Sequence, residues 1–461
     1  MDMQRRTLLK WSGAASALGA VTTMAESAQG ATATPQSQPI SALGLDAAQF
    51  GVRPGAADDQ SANLQRAIDR AAQARVPLAL APGVYRASGL RLPAGAALVG
   101  VRGATRLVTT SGATLITAIG AEDISLSGLT LDGLLRPLPQ NQGLLHMEQV
   151  SGVRIAGCAI LASGRHGIRL AWAKGEVTDC TVADAADVAV LSSDARGLTI
   201  SGNTVTNSGN NAIQITRGEI GPDGTMVLDN RINDTRNHDG GTGQFGNAIN
   251  AFRAGDVIVR GNLIRHCAYS GIRGNSSPNI QIVGNTVHAA GETALYAEFS
   301  FEGAIIANNF VDGAQIGVSL ANFNEGGRLA TVQGNVLRNI APVVPNAGPD
   351  DFFGVGIYAE ADTAITGNVV ENAATAGIAL GWGPFLRDVA VTGNVVRQTP
   401  IGVGVSVVPG AGSALIASNM MSQITRGAVV GLDHARPVTG DLTRDGAKPY
   451  AHLSISSNRS S

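Results

Sequence analysis

LTISGNTVTNSGNNAIQIT, Leu198 to Thr216, is the stretch whose reading decides the fold. The phrase returns as VIVRGNLIRHCAYSGIRGN, IQIVGNTVHAAGETALYAE, TAITGNVVENAATAGIALG and VAVTGNVVRQTPIGVGVSV. One Asn marks its register, at Asn203, Asn230, Asn262, Asn285, Asn309, Asn335, Asn368, Asn394 and Asn419. Cys158 and Cys180 take the slot in two earlier copies and Leu129 in one before them. The steps of roughly 22 to 33 residues are the period of a solenoid. Each copy holds two or three short alternating runs separated by Gly, Asn or Asp turns, with no helical period. One coil per copy and three strands per coil give an all-β fold, a right-handed parallel β-helix. Roughly twelve coils between Val101 and Leu432, stacked at about 4.8 Å, make a rod about 55–60 Å long. Ile200, Val205, Ile213 and Ile215 point inward in the quoted copy, and each coil relies on its neighbours to bury that face. The repeated Asn sits at a bend and bonds to the Asn of the next coil. Its role is structural and not that of a ligand site.

Composition agrees with tight coils: 59 Gly, 4% aromatic and 15% charged residues among 461. A net charge of −2 and a pI near 6.4 point to neither nucleic acid nor an anionic membrane as partner. The three cysteines form no CxxC and no Cys/His cluster of metal spacing, so neither metal nor other cofactor is expected. Cys158 and Cys180 lie on adjacent coils as stacked core thiols, with a disulfide as the alternative.

The chain opens MDMQRRTLLKWSGAASALGAVTTMAESAQG. Arg5-Arg6, then Leu8-Leu9-Lys10 and a short apolar run, form a twin-arginine export signal over residues 1–33. It resembles the family consensus RRxFLK, with Leu8 where Phe is usual. The expected partner of Arg5 and Arg6 is the twin-arginine export machinery, and the expected location is periplasmic or secreted. No other segment is long and apolar enough to span a membrane, so no membrane association is expected after processing. A linker covers 34–42, a cap with first strands 43–100, the repeats 101–432, and a polar cap and fraying tail 433–461. Asp58, Asp59 and Ser61 stand where a helix N-cap is wanted. Leu64, Ala67, Ile68 and Ala71 make the apolar stripe of a helix that closes the open end of the solenoid.

The runs FGVRPGAADDQSANLQRAIDRA (Phe50–Ala71) and LAPGVYRASGLRLPAG (Leu80–Gly95) resemble the opening of the pectate-lyase superfamily of β-helix proteins. That resemblance implies a chain that acts on or binds polysaccharides, as lyases, hydrolases, epimerases and tailspikes do. The export signal joined to GN-type repeats also resembles a family of twin-arginine-translocated repeat proteins. For that family the implied role is cofactor binding. The paired-Asp signatures of polygalacturonases are absent.

In the strand that ends each copy, alternation sets out one outward column through Arg169, Val190, Gln214, Asn250, Arg273, Tyr296, Ser319, Tyr358 and Ala379. A second runs through Ser192, Glu298 and Glu360, with Ser192 on a bland coil. The columns are polar and aromatic from Gln214 to Glu360. Two long insertions precede this strand, RNHDGGTGQFGN (236–247) and APVVPNAGPDDFFG (341–354), and would wall a groove with His238, Asp239, Asp350 and Asp351. The groove suits a polysaccharide or oligosaccharide, with Gln214, His238, Asp239, Asn250, Asp350, Asp351 and Tyr358 as substrate contacts. Arg273, Tyr296, Glu298 and Glu360 are the catalytic candidates. A lyase needs a base near the sugar C5 proton and a cation beside the carboxylate, Tyr296 or His238 with Arg273. A hydrolase needs two carboxylates, Glu298 with Glu360, whose backbones lie two coils, ~10 Å, apart, or Glu298 with Asp351. A glycan-binding or structural envelope protein and a cofactor carrier are the alternatives. A separate patch gathers Arg165, His166 and Arg169.

Overall fold

Gly202 and Asn203 show how one dipeptide turns the chain. Gly202 adopts left-handed backbone with φ 66°, and Gly261, Gly284, Gly334, Gly367 and Gly393 repeat it at the same bend. The Asn that follows points inside and is buried. Asn203 Oδ1 accepts from Cys180 N–H at 2.9 Å, and Asn203 Nδ2 donates to Val177 O at 3.0 Å and Asn230 Oδ1 at 2.9 Å. The pattern passes from coil to coil up to Asn419, whose N–H and Nδ2 donate to Asn458 Oδ1. Each bend from Cys180 to Asn419 is therefore satisfied by the bend above it, which a buried turn demands.

The structure, a computed structural model, describes residues 44–241, 243–342 and 352–461. It is an all-β right-handed parallel β-helix of roughly 14 turns. Three sheets run along it. The first has 16 strands from Leu45–Asp46 to Leu453–Ser456. The second runs from Gly83–Ala87 to Arg459–Ser460, and the third begins at Leu90–Arg91. The pairing is parallel except at the far end, where Arg436–Asp441 lies antiparallel to Met420–Asp433. Inward positions stack on their own kind: Val177, Ile200, Val227, Val259, Ile282 and Ile306 are paired in register on successive coils. Ile200, Val205, Ile213 and Ile215 are fully buried, as their alternation predicts. Each such side chain contributes about 1.5–3 kcal/mol, but only once a neighbouring coil covers it.

Helix α1, Ser61–Ala74, buries the expected stripe of Leu64, Ala67, Ile68 and Ala71. Gln60, not an Asp, holds its N-cap position, while Asp59 accepts from Ser61 N–H at 2.8 Å. Gln65 donates to Arg91 O and accepts from Arg91 N–H, both at 2.8 Å, and so satisfies a strand edge that would stand bare. Cys158 and Cys180 are free and buried, stacked thiols rather than a disulfide. The count of coils exceeds the expected twelve because strands occur on both sides of the recognisable repeats. The tail read as polar and fraying carries Leu453–Ser456 and Arg459–Ser460, and Asn458 takes the ladder slot within SISSN.

Candidate functional site

The parallel register of the third sheet decides which side chains meet outside the rod. One outward column runs His146, Arg169, Leu191, Gln214, Asn250, Arg273, Tyr296, Ser319 and Tyr358. The second runs Glu148, Ala171, Ser193, Thr216, Phe252, Asn275, Glu298 and Ala321, and Glu360 follows Tyr358 by two residues. Val190 and Ser192, expected to face out, instead pair with the inward Ile168 and Leu170 and are 0% exposed. VAVLSS is apolar at Val190 and Leu191 alike, so alternation alone could not choose its face.

Arg273, Tyr296 and Glu298 come together, but not as an open groove. Arg273 is 9% exposed; its Nε donates to Glu298 Oε1 at 2.6 Å, its Nη2 pairs with the same carboxylate, and its Nη1 donates to Gly243 O. Asn275 Nδ2 donates to Glu298 Oε1 at 2.7 Å, and the guanidinium carbon lies 5.6 Å from the Tyr296 ring centre. Arg273, expected to stand free for a sugar carboxylate, is therefore held in a buried ion pair. Gly243 and Gln244 of the first insertion cover the column rather than wall it. Gln244 O accepts from Asn211 at 3.1 Å and from Asn250 at 3.3 Å. Gln214 accepts from Asn211 Nδ2 at 3.0 Å. His238 and Asp239 are exposed, and Asp239 bonds Asn210.

Tyr358 and Glu360 form the other half. Tyr358 Oη donates to Glu360 Oε1 at 2.7 Å, and Phe323 N–H donates to Glu360 Oε2 at 2.6 Å. Burial pushes the Glu360 carboxyl up from the usual carboxylate range, against the pull of those two donors. Burial also raises Tyr296 and Tyr358, reinforced by the charges of Glu298 and Glu360 respectively. On the coil between them the same columns hold only Ser319 and Ala321. Bulky, ionisable residues thus flank small ones across two coils, ~10 Å at about 4.8 Å per coil, a notch in the columns that is covered, since Ser319 at its floor is 3% exposed.

Two more groups join this region. Glu292 is raised by burial and accepts from Ser270 Oγ at 2.8 Å. Gln315 is buried, with Nε2 bonded to Gly291 O at 2.6 Å and Oε1 unpartnered. Neither lies in an alternating column, so sequence patterning gives no signal for them. A second cluster occupies the same columns nearer the N-terminus. His146 is buried, with Nδ1 2.9 Å from Gln142 Oε1 and Nε2 3.1 Å from Arg169 Nη1 and 3.2 Å from Glu148 Oε2. Burial, then Arg169, lowers the pKa of His146. GLLHME is in phase with HGIRLA, and extending the columns by one coil would have found His146 and Glu148. Among the described residues no group of three His, Cys, Asp or Glu side chains is placed to hold a metal. Arg5, Arg6, Asp350 and Asp351 lie outside the described residues.

Several solved structures share the solenoid at low identity. A bacteriophage phi29 gene product 12 structure is 12% identical, with a TM-score of 0.56 over 84% of this chain and 63% of that one. A GH87 α-1,3-glucanase catalytic unit from Streptomyces thermodiastaticus strain HF3-3 is 14% identical, with a TM-score of 0.45 over 92% and 69%. The A-module of the Azotobacter vinelandii mannuronan C-5 epimerase AlgE6 is 14% identical, with a TM-score of 0.44 over 90% and 99%. The chain spans 58% of the Geobacillus virus E2 ORF18 structure and 63% of the phi29 one. These likenesses concern fold alone. No curated protein matches the chain. The family described as "Right handed beta helix region" matches at residues 138–232, 171–337 and 220–396. Those overlapping matches cover more than half of the 461 residues, and the chain belongs to the right handed beta helix region family.

Proposed function

We propose that this protein binds a polysaccharide across the third sheet and hydrolyses it at the notch between Tyr296–Glu298 and Tyr358–Glu360. The observation that carries the reading is the contrast between two carboxyls two coils apart. Glu298 is paired with Arg273 and Asn275, whereas burial raises Glu360 beside the Tyr358 hydroxyl. Two carboxyls in unlike environments divide the roles of base and acid. Glu360 is the general acid to the leaving oxygen, and Glu298 the base that activates water. A spacing close to 6.5–9.5 Å between carboxyls corresponds to inversion. Tyr296 and Tyr358 supply aromatic faces for sugar rings. Elimination or epimerisation is supported less, because Arg273 is already committed to Glu298 and Gly243. Entry of substrate requires Phe323 to release Glu360.

The second reading is glycan binding without turnover, as in an adhesin or envelope protein, and the burial of Arg273, Glu298 and Glu360 favours it. Export through Arg5 and Arg6 to the periplasm or beyond belongs to either reading. No helix of the described residues is long and apolar enough to cross a membrane.

The test is a panel of neutral and uronic-acid polysaccharides, with mass and anomer analysis of the products. Saturated, inverted products are expected, and Glu298→Gln and Glu360→Gln should each lower kcat/KM by about 10²–10⁴-fold. Unsaturated products would select elimination, and tight binding without products the adhesin reading. Should no glycan bind, the proposal fails.

A further inference from the structure

The turn after most strands of the third sheet holds one residue in left-handed backbone. Successive coils place Gly120, Gln149, Trp172 and Asp194 there, at φ 59°, 53°, 48° and 50°. Their N–H groups donate to the carbonyls of Glu148, Ala171, Ser193 and Thr216 at 2.8–2.9 Å, so the turn is one repeated device. Gly, Asn and Asp suit that conformation, and a bulky side chain is disfavoured in it. Trp172 nevertheless occupies the slot, and it is 45% exposed. The turn does not need an indole, since the coils below close it with Gly120 and Gln149.

Trp172 borders a concavity of about 690 Å³ that is also lined by Gln149, Ser151, Lys174, Arg196 and Glu122. Lys174 and Arg196 sit on adjacent coils: Arg196 N–H donates to Ala173 O at 3.1 Å, beside Lys174. Both are exposed, and neither has an ion-pair partner among the described residues. Like charges stacked at about 4.8 Å repel each other, so this pair does nothing for the solenoid. Glu122 lies two coils from Lys174, through Ser151. The Asp194 carboxylate, one coil above Trp172, accepts from Gly218 N–H at 3.1 Å.

We propose that Trp172, Lys174 and Arg196 form a binding site for an acidic sugar residue, separate from the notch. The indole offers a flat face to a pyranose ring, and the two cations take its carboxylate by charge-assisted hydrogen bonds. Charge complementarity selects an acidic sugar over a neutral one. The site stands five coils from the Tyr296 strand, about 24 Å at about 4.8 Å per coil. It holds a chain at a distance from the notch whether or not the notch cleaves.

The experiment titrates the full chain with a hexauronate and with the same oligomer after reduction of its carboxyls to neutral sugars. Calorimetry and tryptophan fluorescence are the readouts. The hexauronate should change the tryptophan emission, bind at least tenfold more tightly than the neutral oligomer, and weaken as salt rises. Trp172→Gly should keep or raise the melting temperature, because Gly is at ease in left-handed backbone, and should abolish the emission change and cost tenfold or more in affinity. Lys174→Ala with Arg196→Ala, both at exposed positions, should cost tenfold or more and flatten the salt dependence. If both variants bind like the parent, the site does not exist. Equal binding of the neutral oligomer, or tighter binding of a DNA oligonucleotide, overturns the assignment to an acidic sugar.

Discussion

Asn285 shows what a single slot of the ladder carries. Its Oδ1 accepts from Asn262 N–H at 3.0 Å and Asn262 Nδ2 at 2.9 Å, and its Nδ2 donates to Val259 O at 3.0 Å and Asn309 Oδ1 at 3.1 Å. Asn285→Leu keeps the volume near constant but strands the buried Asn262 N–H, at about 1–3 kcal/mol for the unsatisfied group, while Asn262 Nδ2 keeps Val227 O. We expect a loss of about 1–3 kcal/mol in urea unfolding, with sheet content and glycan binding unchanged. His166 makes the second residue-scale case. Its ring is buried, and burial brings its pKa from 6.5 down to about 4. Folded His166 stays neutral where the unfolded chain takes up a proton. Its contribution is thus whole above pH 6.5 and is lost as pH falls toward 4, about 2 kcal/mol of it by pH 5. Glu292 and Glu360, raised by burial, act in the opposite sense: their contribution is whole at low pH and is lost as pH rises. The comparison must therefore be made within one pair of proteins. The difference in stability between the parent and His166→Phe should shift by about 2 kcal/mol between pH 7 and pH 5, against the parent at the lower pH.

At the scale of elements, the ends of the rod matter more than any middle strand, because a middle strand has a neighbour on each side. Helix α1 closes one end with its apolar stripe and the Gln65 clamp on Arg91. The other end is closed by Arg436–Asp441 and the strands Leu453–Ser456 and Arg459–Ser460. Removal of residues 453–461 bares the edge Ala414–Ala417 and takes the acceptor Asn458 Oδ1 from Asn419. We expect about 2–4 kcal/mol less stability and concentration-dependent association, since a bare strand edge templates pairing between molecules. Thermal melts with light scattering check both. An unchanged melting temperature and a monomeric solution would show that the tail adds nothing to the stack.

Over the whole molecule, the solenoid converts a sequence interval into a distance. Residues one period apart stand about 4.8 Å apart, so a few columns of side chains become a surface. The polar stretch of the third sheet from Gln214 to Glu360 is such a surface, and Trp172 with Lys174 and Arg196 lies beyond its end. Parallel stacking does not call for charged side chains on this face, yet Arg273, Glu298 and Glu360 are buried there in ion pairs and hydrogen bonds with one another and with the covering loops. The same rod accounts for the low identity of similarly shaped structures, because the pattern rather than the residue holds a coil together.

The period, the Asn slots, the inward set and the helix stripe follow from the sequence, because each rests on local alternation, a left-handed Gly or a helical face. The neighbourhood of Asn285 and the burial of Ile213 were legible for that reason. The tertiary structure decided what depends on lateral neighbours. VAVLSS has apolar residues on both faces, and only pairing with His166–Ala171 turns Ser192 inward. Gly243 of the first insertion meets Arg273, a contact that no periodicity encodes. Arg273 and Glu298 stand 25 residues apart and become a pair because the register sets their strands side by side. His146, Glu292 and Trp172 belong to the same class. Arg169 reaches His146, and Ser270 reaches Glu292, from adjoining coils, and a side chain's charge state and exposure depend on such neighbours as well as on its own place in the chain.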